Sequence, residues 1–206
     1  MIAMCPDEGA NKVPLGTNDL THQLARLGSL TPTATAAFES ILLPKAFHKD
    51  DWLLRGGDRA RMAFFITGGL IRELYVDAEG KEHTRAFQAE GGFTGSLVDL
   101  ISQGPAITWI QALEPTETLA FCYDQFTQLC AEHPSLQFVA RRFTEELYVR
   151  KVTREHELLT MSARQRYERW SLVGRALDAR LRRRDLASYL GITPEHLSRL
   201  SSRCGD

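Results

Sequence analysis

The C-terminal part of the fold is decided by the stretch Arg184-Asp-Leu-Ala-Ser-Tyr-Leu-Gly191-Ile-Thr-Pro-Glu-His-Leu-Ser-Arg-Leu200. Its first half predicts a short helix, because apolar residues recur at helical spacing at Leu186, Ala187 and Leu190. Gly191 suits the left-handed position after a helix end. Thr193 and Pro194 suit the cap and the first residue of a second helix. The stretch therefore predicts a helix-turn-helix.

The second helix of this motif leaves a polar face outward, which is what entry into the DNA major groove requires. Arginine can bond guanine in a bidentate manner, and a carboxylate can accept from cytosine N4. The predicted DNA-contacting residues are Thr193, Glu195, His196, Ser198, Arg199 and Arg203, with Arg183 and Arg184 before the motif. We expect Arg199 to contact a base and Arg183 to contact phosphate. The alternative is a structural helical hairpin with an exposed polar face.

Charge is distributed unevenly along the 206 residues, although the net charge is only −1. Residues 164–206 contain ten arginines and five acidic residues, whereas the preceding part has more acidic than basic residues. A basic end on an acidic body indicates a module that meets a polyanion. The alternative is a solvated helix face.

The middle of the chain predicts a β-roll, preceded by helices from Asn18 and from Thr31-Pro32. Short strand-like runs separated by glycine turns occupy 52–54, 62–67, 70–76, 83–88, 108–113 and 118–122. No alternation of strands with helices is present, so a doubly wound sheet is excluded. The predicted fold class is α+β: an N-terminal antiparallel β-roll with flanking helices, a long helix and a C-terminal helix-turn-helix domain.

A long helix is predicted from Ser135 to about Thr160, because this segment lacks Gly and Pro. Roughly 25 helical residues span ~37 Å, which a small roll does not cover, so we expect this helix to pack against a second copy of the chain. The predicted dimer seam is Val139, Phe143, Leu147 and Val152. The alternative is a helix that lies along its own domain.

The predicted organisation has four parts. A mobile lead-in covers 1–17, the β-roll 18–134, the dimerisation helix 135–161 and the DNA-binding domain 162–206. The last boundary is set by Ser162-Ala-Arg-Gln165, which has the form of a helix capping box.

The chain resembles the Crp/Fnr family of bacterial transcription regulators over about residues 20–203. The most specific matches are the stretch from Asp185 to Arg199 and Gly91-Gly-Phe-Thr-Gly95. The resemblance implies a jelly roll of the cyclic-nucleotide-binding type, a dimerisation helix and double-stranded DNA as partner. It also implies base contacts for Glu195, Ser198 and Arg199.

The sequence departs from the family pattern in two places. It ends six residues after Leu200, where a wing hairpin often follows, so we expect weaker DNA binding unless Arg180 and 182–184 substitute. In addition, Ser96 and Ala106 stand where members that bind cyclic AMP carry a glutamate and an arginine. We therefore expect no response to cyclic AMP.

The pocket candidates for another, unidentified small-molecule effector are Arg72, Arg85, Gly95, Ser96 and Thr108. Arg72 and Arg85 would be anion binders inside the roll, whereas the alternative places both arginines on the exposed face of their strands. Gly95 and Ser96 would form a small nest of backbone N–H groups.

Other functions lack the residues that they need. The six histidines form no HxH or HxxxH group and the four cysteines no CxxC pair, so we expect no metal, no cofactor and no iron–sulfur cluster. We find no nucleophile with a catalytic partner in the sequence, so we do not expect an enzyme. With neither signal peptide nor membrane span, we expect a cytoplasmic protein. The leading prediction is a homodimeric, sequence-specific DNA-binding regulator. The alternative is a ligand-binding or interaction module whose helix-turn-helix no longer binds DNA.

Overall fold

The computed structural model describes residues 17–203. The predicted lead-in lies outside this range except for Thr17. Within the described range, no helix has the length and hydropathy needed to cross a membrane. The described strands are β1 (Leu43–Phe47), β2 (Trp52–Leu54), β3 (Met62–Gly68), β4 (Ile71–Val76), β5 (Glu82–Gln88), β6 (Phe93–Thr94), β7 (Trp109–Ala112) and β8 (Thr116–Cys122).

These strands form two four-stranded antiparallel sheets, in the orders β1-β8-β3-β6 and β2-β7-β4-β5. Consecutive strands often lie in different sheets, as expected for a jelly roll and not for a meander. The predicted fold class, an α+β protein with an antiparallel β-roll, is confirmed.

Helices flank the roll and form the C-terminal domain. The helices are α1 (Thr17–Ala25), α2 (Pro32–Ser40), α3 (Leu97–Ser102), α4 (Tyr123–Glu132), α5 (Pro134–Thr160), α6 (Ala163–Val173), a 3-10 helix (Arg175–Arg180), α7 (Arg183–Leu190) and α8 (Pro194–Arg203). The Thr31 hydroxyl caps α2 and Pro32 is its first residue. Ser162 and Gln165 form the predicted capping box of α6.

Two strands were absent from the sequence prediction. β1 contains Pro44, whose missing N–H normally argues against a strand. Here β1 is the outer strand of its sheet, paired with β8 through Leu43↔Ala120 and Pro44↔Leu119, so a residue without an N–H donor is tolerated. β6 has only two residues, too few for a periodic pattern.

Helix α5 runs along the roll of its own chain, and this corrects part of the predicted dimer seam. Val139 is only 1% exposed and lies in the same core cluster as Leu20 and Phe38. Phe143 packs edge-on against Phe93 with ring centroids 5.1 Å apart. Leu147 lines a cavity of the roll. These three residues were predicted to face a second copy because their spacing is helical, but spacing does not say which neighbour a stripe contacts.

The C-terminal domain has a core of its own, to which the roll contributes one side chain. Trp170, Leu186, Ala187, Leu190 and Leu197 are buried together. Phe87 of β5 packs into this cluster, with its ring 6.0 Å from that of Trp170 and 5.5 Å from that of Tyr189. The two domains are therefore joined by an apolar contact as well as by the chain.

Helix α7 covers the free edge of β5, which is the outer strand of its sheet. The Thr84 N–H donates to Ser188 Oγ at 2.9 Å, and the Ser188 hydroxyl donates to the Glu82 carbonyl at 3.1 Å. One serine thus satisfies two backbone groups that an exposed edge would leave to water. This contact fixes the position of the helix-turn-helix on the roll.

Candidate functional site

The turn between α7 and α8 has the predicted geometry. Gly191 adopts φ 67°, the left-handed conformation that glycine permits at low cost. The hydroxyl of Thr193 accepts the N–H of His196 at 3.2 Å and so caps α8. Leu197 is fully buried, and Leu200 is nearly so. These contacts fix which face of α8 points outward.

The outward face of α8 carries most of the predicted DNA contacts. Glu195, Ser198 and Arg199 are exposed, and His196 is half-buried. Arg203 is the last residue of the helix. A hydrogen bond from its own backbone N–H, and next one from the Thr193 hydroxyl, hold the pKa of Glu195 below its usual value. Glu195 therefore presents a charged carboxylate at the start of the helix.

The arginines before α8 divide into two groups. Arg183 and Arg184 are exposed, and Arg183 donates to Ser201 Oγ at 2.8 Å. Arg180 instead forms ion pairs with Glu90 at 2.7 Å and with Glu114, and Arg182 pairs with Asp50 at 2.6 Å. The expectation that Arg180 and Arg182 could replace a wing is therefore corrected, because acidic residues of the roll already pair with both of them.

Arg72 lies in the contact between the two domains and does not line the cavity of the roll. Its Nη1 donates to Asp185 Oδ1 at 2.6 Å, and its Nη2 donates to Glu82 and to Gln111. The side chains of Arg72 and Asp185 are 3% and 1% exposed. The prediction that Arg72 binds an anion inside the roll is therefore wrong, because the buried carboxylate of Asp185 on α7 already neutralises it.

The segment that contains the predicted pocket residues Ser96 and Thr108 is closed by the protein's own groups. Ser96 Oγ and Thr108 Oγ1 are 2.7 Å apart and both are buried, so neither side chain faces the cavity. Asp99 accepts the N–H groups of Ile107 and Thr108, each at 3.2 Å. Burial raises the pKa of Asp99, but these hydrogen bonds and those from Ser96 and Thr108 outweigh it and bring the pKa below its usual value. A carboxylate therefore occupies the donors that a phosphate would need.

A cavity of about 320 Å³ lies between the inner face of the roll and α5. Gly95 and Arg85 line it, as predicted, together with Glu73 and Thr94. Thr94 donates to Glu73 at 2.9 Å, and Arg85 lies 3.4 Å from Glu73 and donates to the Tyr75 hydroxyl at 2.9 Å. Most of the remaining wall is formed by apolar or aromatic side chains: Leu24, Phe38, Ala63, Phe93, Leu97, Leu100, Phe121, Tyr123, Phe126, Val139, Ala140, Phe143 and Leu147.

The sequence prediction missed three acidic residues of these sites. Asp99 stands in the otherwise apolar run Leu97–Ile101, and a lone carboxylate there is the signal that could have identified it. Glu73 stands next to Arg72 in the strand-like run 70–76, but neighbours in a strand face opposite sides of the sheet, so Arg72 gives no signal for the partner of Glu73. Asp185 lies inside the diagnostic stretch but on the face that contacts the roll.

A second face of α5 carries apolar side chains that the chain itself leaves exposed. These residues are Phe138, Tyr148, Val149, Val152 and Leu159. Phe138, Val152 and Leu159 are separated by multiples of seven residues, the repeat of a coiled-coil seam. Of the predicted seam, only Val152 belongs to this face.

Two features of residues 17–203 bear on metal binding and thiol chemistry: the grouping of the metal-ligating side chains and the two thiols. Among residues 17–203, no three His, Cys, Asp or Glu side chains are grouped as metal ligands. Cys122 is buried, as predicted for a core residue, and burial raises the pKa of the half-buried Cys130 to about 11. Cys5 and Cys204 lie outside the described residues.

Fold and site together define a two-domain protein in which a β-roll precedes a helix-turn-helix. Residues 44–133 match the cyclic nucleotide-binding domain family. Regulatory protein HlyX of Actinobacillus pleuropneumoniae and the fumarate and nitrate reduction regulatory protein of Vibrio cholerae are each 26% identical over 170 residues. The matches cover 77% of this chain. They cover 70% of HlyX, 67% of the Vibrio cholerae protein and 62–65% of the length of other curated relatives.

Solved structures share the fold at low sequence identity. FixK2 from Bradyrhizobium japonicum has a TM-score of 0.68 at 19% identity, covering 79% of this chain and 84% of its own. The c-di-GMP responsive global regulator CLP of Xanthomonas campestris also has 0.68, at 14% identity, covering 85% and 92%. The domain match and the curated relatives confirm the resemblance to the Crp/Fnr family, and these solved structures show that the fold is shared.

Proposed function

We propose that the protein is a homodimeric, cytoplasmic transcription regulator that binds a specific, near-palindromic DNA site. The observation that carries the proposal is the outward face of α8, where Glu195, Ser198 and Arg199 are exposed above a buried helix-turn-helix core. The relatives named as regulatory proteins support the same function. In the dimer, two such helices would enter successive major grooves about 34–36 Å apart.

The second face of α5 supports dimerisation. Phe138, Val152 and Leu159 would form the seam with a second copy, with Tyr148 and Val149 beside them. Substituting Val152 by Glu should dissociate the dimer, because two unpaired charges would then be buried at one contact. Arg150→Glu is the control, since Arg150 is exposed and, two residues before Val152, lies on the opposite side of the helix. Sedimentation of both variants tests this seam, and a Val152→Glu dimer would contradict it.

We also propose that cyclic AMP is not the effector. A bound cyclic phosphate needs a paired cation and hydrogen-bond donors. Ala106 offers no cation, and the nearby N–H groups of Ile107 and Thr108 already donate to the Asp99 carboxylate. Loss of two charge-assisted bonds weakens binding roughly a hundred- to ten-thousandfold. Calorimetric titration with cyclic AMP tests this proposal. Saturable binding in the low micromolar range would contradict it.

The direct test of DNA binding is selection of bound sequences from a random DNA pool, followed by gel shifts at fixed salt. Arg199→Ala should cost about 1–3 kcal/mol and relax the preference at one base pair per half-site. Arg183→Ala should weaken all sequences alike and reduce the salt dependence of binding. Arg26→Ala, an exposed substitution in the turn after α1, is the control and should change neither.

A second function, an interaction module that does not bind DNA, is favoured by one observation. Arg180 and Arg182 are paired with acidic residues of the roll, which reduces the positive charge available for DNA. Equal, sequence-independent losses from Arg199→Ala and Arg183→Ala would remove the base-contacting role from Arg199. A pool from which no sequence is enriched would favour this second function.

A further inference from the structure

The cations of the cavity wall differ in how they are paired. Four charged side chains line it: Glu73, Arg85, Arg141 and Lys151. Arg85 is paired with Glu73, and Arg141 is paired with Glu145 outside the cavity. Lys151 has neither an ion pair nor a hydrogen bond with any described residue. Partial burial, and next the positive charge of Arg85, lower the pKa of Lys151 below its usual value, whereas the charges of Glu73 and Asp99 raise it. Lys151 is exposed and forms no ion pair with either carboxylate. Its ammonium group is therefore available to an anion that enters the cavity.

The rest of the wall is mostly apolar, with polar groups from Gln88, Thr94, Tyr123, Thr127, Gln137 and Thr144. Five phenylalanines line the cavity: Phe38, Phe93, Phe121, Phe126 and Phe143. A volume of about 320 Å³ lies at the lower end of the range of ligand sites, ~300–1,000 Å³. Such a wall suits the body of a small organic molecule with few polar groups.

The strand that carries Arg85 is shaped to direct this side chain inward. Glu73 pairs with Ala86 and Leu74 with Thr84, so Arg85 is the extra residue of a β-bulge. A bulge re-aims one side chain and is common beside functional sites. Arg85 thereby joins Ala86 and Gln88 on the inner face, where Gln88 and Arg85 line the cavity. The cationic end of the cavity thus results from a specific irregularity of the backbone.

We propose that this cavity binds a small apolar monocarboxylate, with the carboxylate between Lys151 and Arg85 and the apolar body against the phenylalanines. The proposal rests on the proposed function in one respect, since it takes the β-roll to be the sensor domain of a regulator. The unpaired ammonium group of Lys151 favours an anion, and the mostly apolar wall favours a body without further charges.

The test is calorimetric titration of the full chain with two pairs of matched probes. Octanoate is compared with octan-1-ol, and 4-phenylbutyrate with 4-phenylbutan-1-ol, so that each acid has a neutral partner with the same body. We expect at least one acid to bind saturably, about tenfold or more tighter than its alcohol. Binding of neither acid up to about 1 mM, or equal binding of acid and alcohol, would overturn the proposal.

Variants at Lys151 separate the charge from the wall. Lys151→Met should weaken acid binding about tenfold and leave the alcohols unchanged, and Lys151→Arg should restore most of the loss. Lys45→Met, an exposed substitution on β1, is the matched control. Circular dichroism confirms that each variant is folded. Equal weakening of acids and alcohols by Lys151→Met would show that Lys151 does not contact the carboxylate, and the proposal would fail.

Gel shifts without added ligand, run on the same preparations, distinguish this proposal from the proposed function. A chain that selects a DNA sequence but binds no acid loses only the monocarboxylate proposal. A chain that binds an acid through Lys151 but selects no DNA loses only the regulator function.

Discussion

The two faces of the β4–β5 hairpin have different partners, although their residues alternate along the same strands. The inner face presents Glu73 and Arg85 to the cavity. The outer face presents Arg72 to Asp185 and Phe87 to the core of the DNA-binding domain. Arg72 and Phe87 are directly paired in the sheet, so they share one side. Neighbours in sequence thus serve different sites, and a change at the cavity is one residue away from the contact with the DNA-binding domain.

The outer face is the more tightly buried and the less completely satisfied of the two. Arg72 Nε, Thr84 Oγ1 and Asp185 Oδ2 are buried without a hydrogen-bond partner among the described residues. Each such group loses its bonds to water, which disfavours the docked arrangement. The ion pair and the Phe87 contact oppose this cost. The docked state is therefore the balance of large opposing contributions, and substitutions on this face should have the largest effects.

The largest expected effect is that of Arg72→Met, which leaves the buried carboxylate of Asp185 without its arginine. We expect the free energy of unfolding to fall by about 3–5 kcal/mol in urea denaturation. The double variant Arg72→Met/Asp185→Leu should recover most of this loss, since it removes both charges. A loss below about 1 kcal/mol in the single variant would mean that the two side chains are not paired in solution.

Phe87→Ala should come next, at about 2 kcal/mol, because Phe87 is only half-buried and full burial gives about 3–5 kcal/mol. The loss should be concentrated in the contact between domains, so amide hydrogen exchange should accelerate in α7 more than in β3. Phe47→Ala is the control, since the Phe47 ring packs against Phe64 on the other sheet. Equal acceleration of α7 by both variants would contradict a specific role for Phe87.

On the inner face, Thr94→Val removes the hydroxyl that donates to Glu73 and keeps the shape of the side chain. We expect a loss of about 1–2 kcal/mol in the free energy of unfolding, smaller than for Arg72→Met because Glu73 keeps Arg85. Hydrogen exchange in α7 should stay at its wild-type rate. Faster exchange there would show that the two faces are not independent.

The smallest effect concerns the exposed rim of the domain contact and depends on pH. The hydrogen bond from Arg180 lowers the pKa of Glu90 to about 2, from a usual value of 4.5. Since the folded pKa is the lower one, the stability from this pair is complete above about pH 4.5 and is lost as the pH falls toward 2. Glu90 is 45% exposed, so we expect less than about 1 kcal/mol.

Urea denaturation between pH 2 and 6 measures this contribution. Glu90→Gln should reduce the pH dependence of the free energy of unfolding, whereas Glu79→Gln, an exposed change in the β4–β5 turn, should not. Identical pH dependence in Glu90→Gln and the wild type would show that Arg180 and Glu90 are not paired in solution.

Local signals in the sequence were sufficient for the helix-turn-helix. The turn glycine, the Thr193 cap and the apolar spacing of Leu186 and Leu190 each act within a few residues, and all appear in the structure. The capping box of α6 was predictable for the same reason. Strand β1 was missed because its pairing with β8 is a contact between residues 69–77 positions apart, which overrides the usual effect of Pro44.

The partners of charged and apolar residues could not be predicted in the same way. The stripe Val139, Phe143 and Leu147 has the spacing of a helix–helix seam, but these residues face the roll of their own chain. Counting arginines indicated a basic surface, yet Arg180 and Arg182 pair with acids 66 or more positions away. Spacing and composition show that a residue needs a partner and do not say which partner it has.

The β-bulge at Arg85 also affects how relatives are aligned. A relative without the extra residue has one position fewer in β5, and an alignment program can place the gap in the turn 77–81 or at 85. Only a gap at 85 keeps Thr84 opposite Leu74 and Ala86 opposite Glu73. A gap in the turn shifts 82–84 by one position and assigns these residues to the wrong side of the sheet. Covariation between the cavity and the DNA-binding domain would then be attributed to residues that do not face each other.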